Sequence, residues 1–138
     1  MSLTYAQAVD DINTMMKAAW DTTGYDIHWE NVRDQRSATD DPWAVFVVRH
    51  ATGTQDNLGG LGNRNFVRTG TAIASIFTPT GNGLSESYAL AKVVADAYEG
   101  QKSDNGVWFR NTRLQEIGRE SQFYHVNVLI DFEYNETK

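Results

Sequence analysis

Residues 43–79 read WAVFVVRHATGTQDNLGGLGNRNFVRTGTAIASIFTP, and this stretch decides the fold. It opens with an uninterrupted apolar run, Trp43-Ala44-Val45-Phe46-Val47-Val48. A polar segment from Gly53 to Asn65 follows, carrying Gly53, Gly59, Gly60 and Gly62. The chain returns as a β-branched and alanine-rich run, Phe66 to Phe77, and stops at Pro79. Two extended runs joined this way predict a long hairpin. Its loop is too rich in glycine to hold one shape alone.

The Trp43 strand is apolar on both faces. Trp43, Val45 and Val47 point one way, and Ala44, Phe46 and Val48 the other. A strand with one face in water alternates with polar residues. One helix layer covers one face, so the second needs another part of the chain or a neighbouring subunit. On the returning strand Val67, Ile73 and Phe77 share one face, and Phe66, Ala72, Ala74 and Ile76 share the other. Gly70 within it predicts a bulge or a close backbone approach.

Upstream, Thr4 to Trp20 reads as a helix with an apolar stripe of Tyr5, Val9, Ile12, Met16, Ala19 and Trp20. Thr4 and Gln7 fit a capping box, and Gly24 marks the stop. Tyr25 to Val32 predicts a short strand with Ile27 and Trp29 on one face. Asn31 to Asp41 is polar, ends before Pro42, and predicts a turn-rich connection. Its Asp34, Asp40 and Asp41 lack the glycine and terminal glutamate of a calcium loop.

Downstream, Ser85 to Glu99 predicts a second helix, with Ser85 as N-cap, Gly100 beyond its end, and Leu90, Val94, Ala97 and Tyr98 buried. Val107 to Ile117 predicts a strand, and Gly118-Arg119-Glu120 a turn. The last strand has the cleanest pattern in the chain. Tyr124, Val126, Val128, Ile130, Phe132 and Tyr134 alternate with His125, Asn127, Asp131 and Glu133, and Leu129 is the one apolar residue on the second face. The fold class is therefore α+β, a mainly antiparallel sheet with two helices packed on one face. The order is α-β-β-β-α-β-β, in a single domain spanning 1–138.

A chain of 138 residues is long enough to bury a core without staples. Its net charge of −6 disfavours a general nucleic-acid or anionic-membrane binder. The absence of cysteine excludes disulfides, thiol nucleophiles and cysteine zinc sites. No run approaches the ~20 apolar residues of a membrane helix. The start, Met1-Ser2-Leu3-Thr4-Tyr5, has no secretory pattern.

No catalytic signature emerges. Arg49-His50-Ala51-Thr52 lacks the glycine of a histidine-phosphatase opening, and His50 reads as a surface residue at a strand end. The glycine segment lacks Gly-Lys-Ser/Thr and precedes a strand, so it is neither a P-loop nor a dinucleotide turn. His28, His50 and His125 have no metal-ligand spacing. Glu30 with Asp131 or Glu133 is the one conceivable carboxylate pair, and nothing favours it over solvated strand faces. No cofactor is expected. Leu58 and Leu61 are apolar residues on a loop tip with nothing to cover them, which points to packing on another surface.

Particular stretches then carry a resemblance. They are the opening helix, Tyr25-Asp26-Ile27-His28-Trp29-Glu30-Asn31, the strand entry Pro42-Trp43-Ala44-Val45, and the long loop before Phe66-Val67. Ile76-Phe77-Thr78-Pro79 with Gly81 and Gly83, Ala97-Tyr98-Glu99-Gly100, Val107-Trp108-Phe109 and Tyr124-His125-Val126-Asn127-Val128 complete the set. Together they resemble the tail terminator (tail-completion) proteins of lambda-like siphophages over nearly the whole chain. The resemblance implies a non-enzymatic virion protein that assembles in the host cytoplasm. It implies a homo-oligomeric ring, typically a hexamer, that caps the tail tube, stops its polymerisation and joins it to the head. The implied partners are the tail tube protein and a head–tail connector, with DNA passing through the lumen without specific binding. Leu58, Leu61, Arg64, Phe66, Arg68 and Trp43 are the candidate subunit-interface residues. Arg64 and Arg68 either pair with a neighbour's carboxylates or line the channel. The alternatives are a related neck or connector protein, and a small-ligand-binding module with its ligand under the glycine loop near Trp43, Phe66 and Trp108.

Overall fold

The last strand, β5 (Phe123–Thr137), shows most plainly why the sheet has one dry face. Val126, Val128, Ile130, Phe132 and Tyr134 are all buried, and the residues between them are only half-buried. The computed structural model describes residues 2–30, 41–81, 83–120 and 122–138. Around β5 stand α1 (Tyr5–Trp20), β1 (Asp26–Trp29), β2 (Trp43–Gln55), β3 (Asn65–Pro79), α2 (Ser85–Tyr98) and β4 (Trp108–Glu120). The five strands form one sheet in the order β1-β2-β3-β5-β4. Among the described residues only β1 and β2 pair in parallel. The predicted connection Asn31–Asp41 lies, up to residue 40, outside the described residues.

Both helices pack on the same face. Ala8, Ile12, Met16 and Trp20 of α1 and Leu90, Ala91, Val94 and Tyr98 of α2 share one core with Ala44, Phe46, Ala72, Ala74 and Ile76. The Thr4/Gln7 capping box forms as expected: Gln7 N donates to Thr4 Oγ1 and Thr4 N to Gln7 Oε1. In the stripe, Ala8 replaces Tyr5 and Val9 as the buried member, and Tyr5 is half exposed.

The second helix starts differently from expectation. Leu84 is its N-cap and carries no side-chain cap, and Ser85 is the first helical residue. A serine beyond the cap position no longer faces the free amides of the first turn. Ser87 instead turns inward and hydrogen-bonds Thr78 at 2.7 Å.

Tyr98 ties the layers together. Its hydroxyl donates to the Ile12 carbonyl at 2.7 Å, and its ring stacks on Phe46. Burial pushes this hydroxyl well above its usual pKa, so it stays a donor. Tyr98→Phe is expected to lower unfolding stability by about 1 kcal/mol, since Ile12 keeps its helical partner. Urea denaturation checks this.

The hairpin is longer than its sequence suggested. β2 runs to Gln55 because Gly53, Thr54 and Gln55 pair with Arg68, Val67 and Phe66. The loop proper shrinks to 56–64. It is braced by Asn57, whose Oδ1 accepts from the amides of Gly59 and Asn65. Gly70 makes the close approach its position implied, and the bulge lies opposite it, between His50 and Thr52. At the far end, Gly118 is not a turn residue. It sits in a β4 bulge with φ 113°, and β4 continues to Glu120.

Candidate assembly surfaces

The hairpin carries the expected interface residues to two ends. Leu58 and Leu61 stand on the loop tip, 101% and 86% exposed. Arg64 lies behind them and donates from Nε to the Gly59 carbonyl. Phe66, half-buried, lies under Arg68 and Lys138. Trp43 is at the opposite end of the hairpin, stacked on Phe77 with centroids 4.3 Å apart. One site containing all six residues therefore does not form within a chain.

Arg68 turns inward. It is 7% exposed, pairs with Glu136 at 3.1 Å, and lies over the Tyr5 ring. Its place on β3 explains this: even-numbered residues there face the helices, from Arg68 to Thr78. Within one chain its charge is already matched.

His50 belongs to the same polar corner. It lies within β2 and not at its end, and Nε2 sits 2.6 Å from the Tyr134 hydroxyl. Burial, and then the Arg68 charge, hold its pKa below the ordinary 6.5. Burial also pushes the Tyr134 hydroxyl up to about 12. Tyr5, Tyr134 and the Arg68–Glu136 pair are the titratable and charged groups around the ring. An imidazole with a lowered folded pKa binds fewer protons folded than unfolded. Stability therefore falls as pH drops below about 6.5 and levels off under the folded value. His50→Gln is expected to flatten that part of the stability–pH profile, measured by urea midpoints between pH 7.5 and 5.

The second sheet face is graded. At one end Trp43, Phe77 and His125 stack across three strands in register. In the middle Val47, Ile73 and Leu129 are paired neighbours, which explains the lone leucine on the polar side of β5. Beyond them Asp131 accepts from Thr71 and Arg113. Partial burial pushes the Asp131 pKa up, and these bonds outweigh it and hold the carboxyl low. Among the described residues no helix lies over this face. Glu30 pairs with Arg49, two strands from Asp131, so the conceivable carboxylate pair does not form.

A third surface was not legible in sequence. Between α2 and β4 runs a groove of about 370 Å³, lined by Tyr88, Ala91, Ala95, Leu114 and Val128. It exists because α2 sits over β5 and β3 and leaves β4, the sheet edge, partly uncovered. Tyr88 and Leu114 are 43% and 40% exposed there. The one available signal was Leu114 among the polar residues of β4.

Among the described residues no three histidine, aspartate or glutamate side chains converge on a possible metal position. None of the described helices is long and apolar enough to cross a membrane. What the described residues expose is apolar side chains, Leu58 and Leu61 on the loop tip and Tyr88 and Leu114 along the groove.

Similarity to known proteins supplies the family. The family model for phage tail terminator proteins matches residues 8–128. The chain belongs to the phage tail terminator family and is thereby a structural protein of the phage tail. No curated protein matches it in sequence. Among solved structures it is similar to a protein of no stated function, at 14% identity and TM-score 0.66, over 91% of this chain and 94% of that one. It is also similar to a chain from the virion of a native gene transfer agent particle. There the identity is 16% and the TM-score 0.60, over 96% of this chain and 99% of that one. At such identities the likeness is one of fold.

Proposed function

We propose that this protein closes the end of a phage tail tube. Copies form a ring, six-membered in this reading, that caps the finished tube, stops its polymerisation and presents a surface for joining to the head. The tail tube protein contacts one side and a head–tail connector the other. The acidic chain, net −6, borders the DNA passage without gripping phosphates. Leu58, Leu61, Arg64 and Phe66 make subunit contacts at the hairpin end. Trp43 contributes on the second sheet face, and Arg68 acts from within by holding the base of the hairpin.

The observation that carries this reading is the loop tip, where two leucines are almost wholly exposed. Burying each against a neighbour stabilises the contact by about 1.5–3 kcal/mol, which offsets the cost of ordering the loop.

Deleting 57–62 and closing the gap with a two-residue turn tests it. The fold should survive, because β2 and β3 stay paired up to Gln55 and Phe66. The thermal midpoint should shift by no more than a few degrees. Negative-stain images and light scattering should show ring-sized particles for the full chain, alone or with tail tubes, and none for the deletion. A full chain that stays monomeric and does not bind tube ends overturns the reading.

A further inference from the structure

We propose that the loop tip of one copy docks in the α2/β4 groove of the next. This rests on the ring reading above and adds the acceptor surface. The donor is the pair Leu58 and Leu61, projecting from the end of the β2–β3 hairpin. The acceptor is the groove of about 370 Å³ walled by Ala91, Ala95, Leu114 and Val128. That volume lies in the range of pockets that enclose a compact apolar ligand.

A chain cannot fill its own groove. Leu114 pairs with Val128, and Val128 with Ala74, whereas the loop rejoins β3 at Asn65, nine residues along the strand. At ~3.3 Å per residue the tip is roughly 30 Å from the groove along the strand direction. It is also displaced sideways, because β5 and β4 lie beyond β3.

Charge points to a second copy as the occupant. Among the described residues Arg64, behind the tip, makes no ion pair in its own chain, and Glu99, on the groove wall, makes no close ion pair either, its charge acting on Lys92 only through space. Docking brings the two opposite charges together at the rim. Donor and acceptor are different patches, so the contact is head-to-tail and builds a ring when the rotation closes.

The chain has no cysteine, so placed thiols report unambiguously. Gly60 lies between the two leucines, and a Cβ there meets nothing within 4 Å. Gly60→Cys protein is mixed in turn with Ala95→Cys and with Gln115→Cys, which lies on the second sheet face, under mild oxidation. The tip–groove heterodimer should exceed the tip–face heterodimer by about tenfold. Arg64→Glu should reduce the tip–groove yield by about tenfold, and Glu99→Arg in the acceptor should restore it. If rings form but the tip thiol links equally well to position 115, or does not reach position 95, the groove is not the acceptor and the ring reading stands. If the protein remains monomeric and the tip links to neither, both fall.

Discussion

Glu136→Leu is expected to lower unfolding stability by about 3–5 kcal/mol, because it strands a buried guanidinium. Arg68 and Glu136 have side chains only 8% and 15% exposed, and they pair at 3.1 Å. The arginine cannot simply swing away. Its side chain lies across Gly53, where an added Cβ would sit 2.2 Å from Nη1, and its guanidinium is held over Tyr5 and Phe66. Replacing both partners with apolar residues, Arg68→Met with Glu136→Leu, should recover all but about 1–2 kcal/mol, since a buried pair adds little over hydrophobic packing. Urea midpoints on the two single variants and the double give the coupling directly. A Glu136→Leu variant as stable as the native chain would mean the guanidinium reaches water. The pair joins β3 to β5 next to the loop, so Glu136→Leu should also impair assembly at temperatures where the rest of the fold is intact.

The second large effect is at Gly70. Its Cβ position lies 2.3 Å from the Arg49 carbonyl oxygen, 2.9 Å from His50 Cα and 2.5 Å from the Phe132 ring. Two of these neighbours are backbone of the bulged β2 strand and cannot turn aside. Gly70→Val is expected to cost about 3–4 kcal/mol, and Gly70→Ala about 2 kcal/mol. The loss arises from space, not from backbone conformation. Thermal unfolding checks it, and a Gly70→Val chain with an unchanged midpoint would require the strands to separate without loss.

Much of the fold could be read locally. Thr4 and Gln7 satisfy amides three residues away, so the start of α1 is written in four residues. The alternation in β5 is a period-two pattern that one buried face imposes directly. The two-sided apolar character of Trp43–Val48 is also real, and its outer residues Val45 and Val47 sit half-buried on the second face. Reading failed where a residue's role depends on its cross-strand partner. Arg68 looked like a surface cation because its match, Glu136, lies far along the chain. Gly53 to Gln55 looked like loop because glycine and polar residues mask pairing that β3 imposes. Ser85 looked like a cap because serine suits that position, yet Leu84 holds it.

The candidate surfaces divide in the same way. Leu58 and Leu61 were legible, because apolar residues among glycines and asparagines have no local cover. The groove was not, because it is the space left where α2 passes over β5 and stops short of β4.

By itself, the sequence determined the order of helices and strands, the dry face of the sheet and the exposed leucine tip. Each of these follows from spacing along a few neighbouring residues. Only the tertiary structure decided that Arg68 is sealed against Glu136, that the candidate interface residues lie at opposite ends of a hairpin, and that a groove opens beside β4. Those features depend on strand order and register, which bring together residues that no local pattern relates.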